Sequence, residues 1–419
     1  MKMENRKWMK ASVLALTLAL TMGGAACLAS KNDETETNTS GVAAGNTGVS
    51  ENAGNAGTNS ASPAAEDMQL PITDKDLKTE YSEADSTKIE LTENIGKINI
   101  TEAGTYIVSG STNNGMIIVN VGEEEDVQLV LRDATINSET SAAIYVISAD
   151  EVYVTLEGEN HLSNGGSFVA IDTNDIDSVI YSKDDLTLNG SGSLEVTSTA
   201  GHAIVCKDDM VITGGSYVLS ALEDGINTND SLAITDGSFT ISCGDDAIHT
   251  DGILQIDGGT YDIVAAEGLE GTYITINDGT ITIAASDDGI NAAQKVEDYT
   301  ATVIFNGGDI TIMMGEGDTD GVDSNGNIYI NGGTIRITGQ STVDYDGVAE
   351  KNGGTLIING EETDTIPNQF MGGPGGQGDP QGGPGGQMGE PPEGFEDGQF
   401  PGEPPEGFEN GQPGGRPGN

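Results

Sequence analysis

Along residues 180–360, apolar and polar residues alternate in short phrases that recur with a fixed phase. One series pairs Leu186 with Leu188, Met210 with Ile212, Leu232 with Ile234, Leu254 with Ile256, Ile274 with Ile276, Val303 with Phe305, Ile328 with Ile330 and Leu356 with Ile358. A period of two predicts strands with one face buried. A turn of Asn, Asp and Gly follows, as in Gly214-Gly215, Asp236-Gly237, Gly258-Gly259 and Asp278-Gly279. These residues accept positive φ. A further alternating phrase then carries Tyr217 and Leu219, Phe239 and Ile241, Tyr261 and Ile263, Ile281 and Ile283, Ile310 and Ile312, and Ile335 and Ile337. Between successive pairs of phrases stands a shorter word: an acidic residue, a small one, then a branched apolar one. It reads Asp224-Gly225-Ile226, Asp246-Ala247-Ile248, Glu267-Gly268-Leu269, Asp288-Gly289-Ile290, Asp320-Gly321-Val322 and Asp346-Gly347-Val348, with acidic residues 22, 21, 21, 32 and 26 positions apart.

Three strands and three turns in about 22 residues describe one turn of a solenoid, in which each repeat buries its apolar face only against its neighbours. The expected fold is all-β, a single right-handed parallel β-helix running from about residue 89 to 360. Equivalent residues then stack about 4.8 Å apart, so inward Leu, Ile and Phe form apolar ladders and outward residues form exposed ones.

The ends of the chain read differently. Lys2, Arg6, Lys7 and Lys10 precede an apolar run at residues 11–22 and then small residues up to Cys27, the pattern of an export signal. Gly24-Ala25-Ala26-Cys27 resembles a bacterial lipobox, which predicts lipidation of Cys27, a cell-surface location and membrane contact through the lipid alone. Residues 28–71 hold little to bury and read as a disordered tether, residues 72–366 as the β-helix domain, and residues 367–419 as a Gly/Pro/Gln/Glu-rich disordered tail.

Charge narrows the partners. Lys and Arg number 16 against 68 Asp and Glu, a formal charge of −52, which excludes the basic surface that nucleic-acid phosphates require. Cys206 and Cys243 fall about seven positions apart when aligned by turn, beyond disulfide reach. They are expected to be buried thiols.

Aligning the short word stacks His202, Asp224, Asp246, Glu267, Asp288, Asp320 and Asp346 in one column, and Val205, Asn227, His249, Glu270, Asn291, Asp323 and Ala349 in a second. With the branched residue inward, both flanking columns point outward along one edge. Unit charges 4.8 Å apart repel by about 3.5 kcal/mol at an effective dielectric near 20. Such a ladder calls for splaying into water, partial protonation or bridging cations. The oxygen-rich set Asp224, Asn227, Asp246, Glu267, Glu270, Asp288, Asn291, Asp320, Asp323 and Asp346 suits calcium.

Ile100-Thr101-Glu102-Ala103-Gly104-Thr105-Tyr106-Ile107, Ser141-Ala142-Ala143-Ile144-Tyr145, Tyr181-Ser182-Lys183-Asp184-Asp185-Leu186 and Cys206-Lys207-Asp208-Asp209-Met210 look like the bacterial carbohydrate-binding domain family with a pectate-lyase-like β-helix. The resemblance covers about residues 72–360. It implies a secreted or surface-attached, calcium-associated protein that binds plant or microbial polysaccharide, including acidic sugars. The chain departs from that pattern where the phase of Lys183 and Lys207 becomes Asn229, Asp251 and Ala293, which shifts weight from direct pairing with uronates to calcium.

Three functions fit these features: a monomeric carbohydrate binder, a polysaccharide lyase and a passive wall or coat scaffold. A lyase needs a base, for which Lys295, Arg336 and Lys351 are the late candidates. A hydrolase needs a carboxylate pair such as Asp245-Asp246 or Asp287-Asp288, but here the pair recurs from turn to turn. For a binder, outward Tyr145, Tyr181 and Tyr345 offer sugar-stacking rings and His249 a polar contact, whereas the one Trp, Trp8, lies in the export segment.

Overall fold

The computed structural model describes residues 68–315 and 319–369, and among them no segment is α-helical. They build a parallel β-solenoid of about 12 turns with about 23 residues per turn. One face is a ten-stranded parallel sheet running from Gly96–Ile100 to Val322–Ser324. The other two faces share a 22-stranded sheet. The alternating phrases set the register: Leu186 pairs with Met210, Met210 with Leu232, Leu232 with Leu254 and Leu254 with Ile274 on the second face. Tyr217 pairs with Phe239 and Phe239 with Tyr261 on the third.

Inside, each ladder packs like against like. The rings of Tyr217, Phe239 and Tyr261 stack at 4.9 and 4.8 Å between centroids with planes 10° and 5° apart. Both tyrosine hydroxyls, buried with their rings, donate to the carbonyls of Gly214 and Gly258 at the preceding turn. That turn carries the positive φ expected of it at Gly215, Gly237 and Gly259. Further along, Asn277, Asn306, Asn331 and Asn352 form an amide ladder, each side-chain Nδ2 donating to the Oδ1 of the previous turn at 2.8, 2.9 and 3.0 Å. Cys206 and Cys243 are free thiols, in register with Thr228 and Ala221.

The last turn departs from the sequence alignment. Val343, not Val348, bridges Val322, and Ala349–Lys351 pairs with the second-face strand Asn327–Ile330. Leu356 therefore stacks on Ile335 of the third face rather than extending the second. Val343 is buried while Val348 is exposed. The final edge is closed by Glu361–Thr363, which folds back antiparallel on Thr355–Ile358, and by Gln369, whose side chain accepts from the Thr342 amide.

At the other end, residues 68–78 lie along the second face, so the boundary expected after residue 71 falls inside a packed segment. Met68 and Leu70 cover Ile253, Tyr273 and Ile304, and the Leu70 amide donates to the buried Gln255 side chain at 2.7 Å. The expected export signal with Cys27, most of the expected tether and nearly all of the expected tail lie outside the described residues.

Phe239→Ala is expected to lower stability by about 3–5 kcal/mol, because it opens a gap between two rings that cannot close toward each other. Thr240→Ala, exposed on the same strand, should stay within about 0.5 kcal/mol. Urea midpoints of the two variants against the parent check this.

Candidate functional site

The corner between the third and first faces explains the small residue in the recurring word. A Cβ added to Gly225, Gly268, Gly289 or Gly321 would lie 2.7, 2.6, 2.4 or 2.2 Å from the Cγ2 of Ile241, Ile283, Ile312 or Ile337, an inward residue of the third-face strand. The next residue, Ile226, Ile248, Leu269, Ile290 or Val322, then enters the core. Its neighbours are thereby fixed on one edge. Register confirms both columns: Asp246 pairs with Glu267, while Asn227, His249, Glu270, Asn291 and Asp323 follow one another.

Continuing by register, Asp344 stands above Asp323 and Ser341 above Asp320, whose carboxylate accepts the Ser341 hydroxyl. This removes Asp346 from the ligand column and Ala349 from its partner column. The Asp-Gly-Val triplet at residue 346 copies the word but sits one corner later, where Asp346 is exposed. Gly353-Gly354 before Leu356 was the available signal, because Gly214-Gly215, Gly258-Gly259, Gly307-Gly308 and Gly332-Gly333 each introduce a third-face strand.

Several carboxylates of the first column hold backbone. Asp224 accepts the amide of Asp246 at 3.1 Å, and Asp288 that of Asp320 at 2.9 Å. Asn227 donates to Asp224 at 2.7 Å. Burial pushes the Asp224 carboxyl up, but hydrogen bonds from His202 and Asn227 outweigh it and hold the group below its ordinary range.

The middle of the edge is an acid–base cluster. His249 Nδ1 lies 2.9 Å from Asp246 Oδ2 and 2.5 Å from Glu270 Oε2, and its Nε2 lies 3.3 Å from Asp251. Lys295 Nζ reaches Glu270 Oε1 at 2.8 Å. The 292–302 insertion that delivers Lys295 is anchored through Thr272 Oγ1, which accepts the Lys295 amide at 3.0 Å, and through Gln294 Oε1, which accepts the Ala301 amide at 3.0 Å. Burial opposes charge on His249, yet the two carboxylates raise it well above the usual imidazole range. Glu270 is held low by His249 and Lys295 against its own burial, whereas burial and the neighbouring Asp224 and Glu270 push Asp246 up. Lys295 is thus a cationic member of the site although it stands in neither aligned column, and His202, already in the first column, lies 3.1 Å from Asp224 and 3.0 Å from Glu223.

Beyond this cluster oxygen dominates. Burial first, then repulsion from neighbouring carboxylates, raises Glu267 to about 8, Asp288 to about 6 and Asp323 to about 7. Asn291 donates to Glu267 at 2.9 Å, but its buried Oδ1 has no hydrogen-bond partner. Asp288, Asn291, Asp320 and Asp323 carry oxygens of the kind hard cations take, while the acidic groups with ligand atoms within 4.8 Å of one another lie, among the described residues, at Asp224, Asp245 and Asp246, at Asp185, Asp208 and Asp209, and at Asp246 and Glu270 with His249. Asp246 and Glu270 are already bridged by His249, and Glu270 also holds Lys295.

Two of the ring candidates fail. Tyr145 and Tyr181 stand in the same column upstream and do face away from the core, but they are only 0% and 5% exposed. The segment at residues 165–177 covers them with Phe168, Ile171 and Ile176, and the Tyr145 hydroxyl donates to Asp172 at 2.7 Å. Neither ring can stack on a sugar in this arrangement. Tyr345 packs partly against the core. Arg336 lies on the third face beside Asp309, and Lys351 near Asp364, both away from the acidic edge.

A curated carbohydrate-binding domain-containing protein of Acetivibrio thermocellus is 34% identical over 129 residues, which cover 30% of this chain and 45% of that protein. The chain therefore spans about half the length of that relative. A solved structure of a polysaccharide lyase-like protein from C. thermocellum, a gadolinium derivative, aligns with 65% of this chain and 96% of its own at 24% identity and a TM-score of 0.36. The family model described as carbohydrate-binding domain-containing protein matches residues 94–364, and the chain belongs to that family.

Proposed function

We propose that the acidic edge binds a carboxylate-bearing polysaccharide through calcium held by Asp288, Asn291, Asp320 and Asp323, without cleaving it. The observation that carries this reading is the buried, unpartnered Oδ1 of Asn291 beside carboxylates that burial and mutual repulsion drive toward protonation. A divalent cation would supply that oxygen with a partner and offset the repulsion. Its remaining coordination positions would be open to sugar carboxylates, which this chain repels elsewhere. His249 and Lys295 flank the site as cations rather than bases, since their carboxylate neighbours keep both protonated. A protonated amine does not abstract the sugar proton of a β-elimination. In this reading the protein acts as a monomer at the cell surface, lipid-anchored at Cys27.

Polygalacturonate is expected to bind in calcium and to be released by chelator, and the Asp288→Asn/Asp323→Asn pair should weaken binding at least about tenfold, or 1.4 kcal/mol. Calorimetric titration on the double variant checks this, with circular dichroism confirming its fold. Binding that ignores chelator would remove calcium from the reading.

Calcium at about a hundred times its dissociation constant should add about 2.7 kcal/mol of stability. Without it, Glu267, Asp288 and Asp323 titrate higher in the folded chain than in the unfolded one. Their contribution is complete below the ordinary carboxylate range and is lost as pH rises through about 6 to 8. Melting temperature in chelator should therefore fall between pH 5 and 8, and calcium should flatten that slope.

Lys295 also stands where a lyase would need a base. Incubation with polygalacturonate should produce no absorbance from unsaturated uronate ends at neutral pH. Products that appear and then vanish in Lys295→Met would establish a lyase instead.

A further inference from the structure

On the second face, far from the acidic edge, residues 68–78 are fastened by a group that the glycan reading does not use. Asp76 is fully buried, and its backbone carbonyl accepts from Asn189 Nδ2 at 3.1 Å and Thr213 Oγ1 at 3.2 Å. One side-chain oxygen takes the Thr73 amide at 2.6 Å. The other lies 3.3 Å from the Thr187 hydroxyl. That hydroxyl also lies 2.6 Å from Oε1 of Glu151, itself 7% exposed, and Glu151 Oε2 accepts from Tyr153.

Thr187 has a single hydroxyl proton and two carboxylates to serve. Donated to Glu151 at the shorter distance, it leaves the facing oxygen of Asp76 without a donor. The cation at this place, Lys75, is bound to Asp126 at 2.5 Å. Asp150 adds a further negative charge near Lys75, and Arg132 is engaged by Glu83 and Glu157. Two buried carboxylates that share one hydroxyl hold together with one proton between them, and repel without it.

We propose that a proton on Glu151, which faces Asp76 across the Thr187 hydroxyl, latches residues 68–78 onto the solenoid, and that the strap leaves the second face when this proton passes to solvent. Release uncovers Ile253, Tyr273 and Ile304 together with the amides of Gln255 and Asn277, which Leu70 and Gln69 contact in the closed form. Burial first, and then the facing Asp76, raises Glu151 from 4.5 to about 7 against the hydrogen bonds from Thr187 and Tyr153. A group raised in the closed form contributes fully below its ordinary value and loses that contribution as pH rises through the closed-form value. The latch is therefore complete below about pH 4.5 and gone above about pH 7.

Hydrogen exchange of the full chain, with each rate divided by its intrinsic rate at that pH, reads the latch directly. Protection of residues 68–78 should fall about a hundredfold between pH 5 and 7.5, since each unit within the window changes the opening constant about tenfold. Protection of the third-face strand Ser216–Ala221 should not follow. Asp76→Asn places an amide donor opposite Glu151 and keeps the acceptor for the Thr73 amide, so its strap protection should stay level across the same range. Because Asp76 lies on the strap, this variant leaves the solenoid's own residues intact. Glu151→Gln should behave alike. Strap protection in the parent that does not change from pH 5 to 7.5 overturns the proposal, as does a fall in Asp76→Asn as steep as the parent's.

Discussion

Each strand residue of the solenoid lies one strand spacing from its counterpart in the next turn, and much else follows from that constraint. Stacking rewards groups that attract their own kind. Ile on Ile fills space, Tyr217, Phe239 and Tyr261 stack as rings, and Asn277 through Asn352 pass a hydrogen bond from amide to amide. The same geometry penalises carboxylates, which have no donor to offer their copies. An acidic ladder is therefore the most expensive feature the solenoid carries, and the chain spends several other residues on containing it. Asp224 and Asp288 cap backbone amides of the next turn, Asn227 and Asn291 interleave donors, and His202, His249 and Lys295 add positive charge.

Much of this was legible because strand stacking copies sequence period into space. The phase of Leu186, Met210 and Leu232 fixed the second face, and the flanking of Ile226 and Ile248 by polar residues fixed the acidic edge. What failed was short-range pattern without its neighbours. Asp346-Gly347-Val348 reproduces three letters of the word, but the turn it belongs to is set by the glycine pair ahead of Leu356, and Val343 takes the inward place.

Contacts made by insertions were not legible at all, because a segment outside the period has no register. Tyr145 and Tyr181 do face away from the core, as alternation requires, and yet residues 165–177 roof them over. Lys295 lies on a loop with no strand partner, and only the tertiary path brings its ammonium to Glu270. The strap at residues 68–78 is the same case. Its sequence carries too few apolar residues to announce packing, and what seats it is hydrogen bonding to outward residues of several separate turns.

These insertions divide the outward column into three environments. Upstream, where Ile118, Tyr145, Tyr181 and Val205 follow one another, the column is apolar and covered by the chain. In the middle, His249 and Lys295 neutralise Asp246 and Glu270 from within the molecule. Downstream, at Asp288, Asn291, Asp320 and Asp323, the insertion's Lys295 is directed to Glu270 instead, and one buried amide oxygen, Asn291 Oδ1, has no hydrogen-bond partner. A single repeating edge thus changes from covered to internally charge-paired to oxygen-lined along its length. Repetition supplies the array, and the irregular segments decide which part of it is available to a ligand.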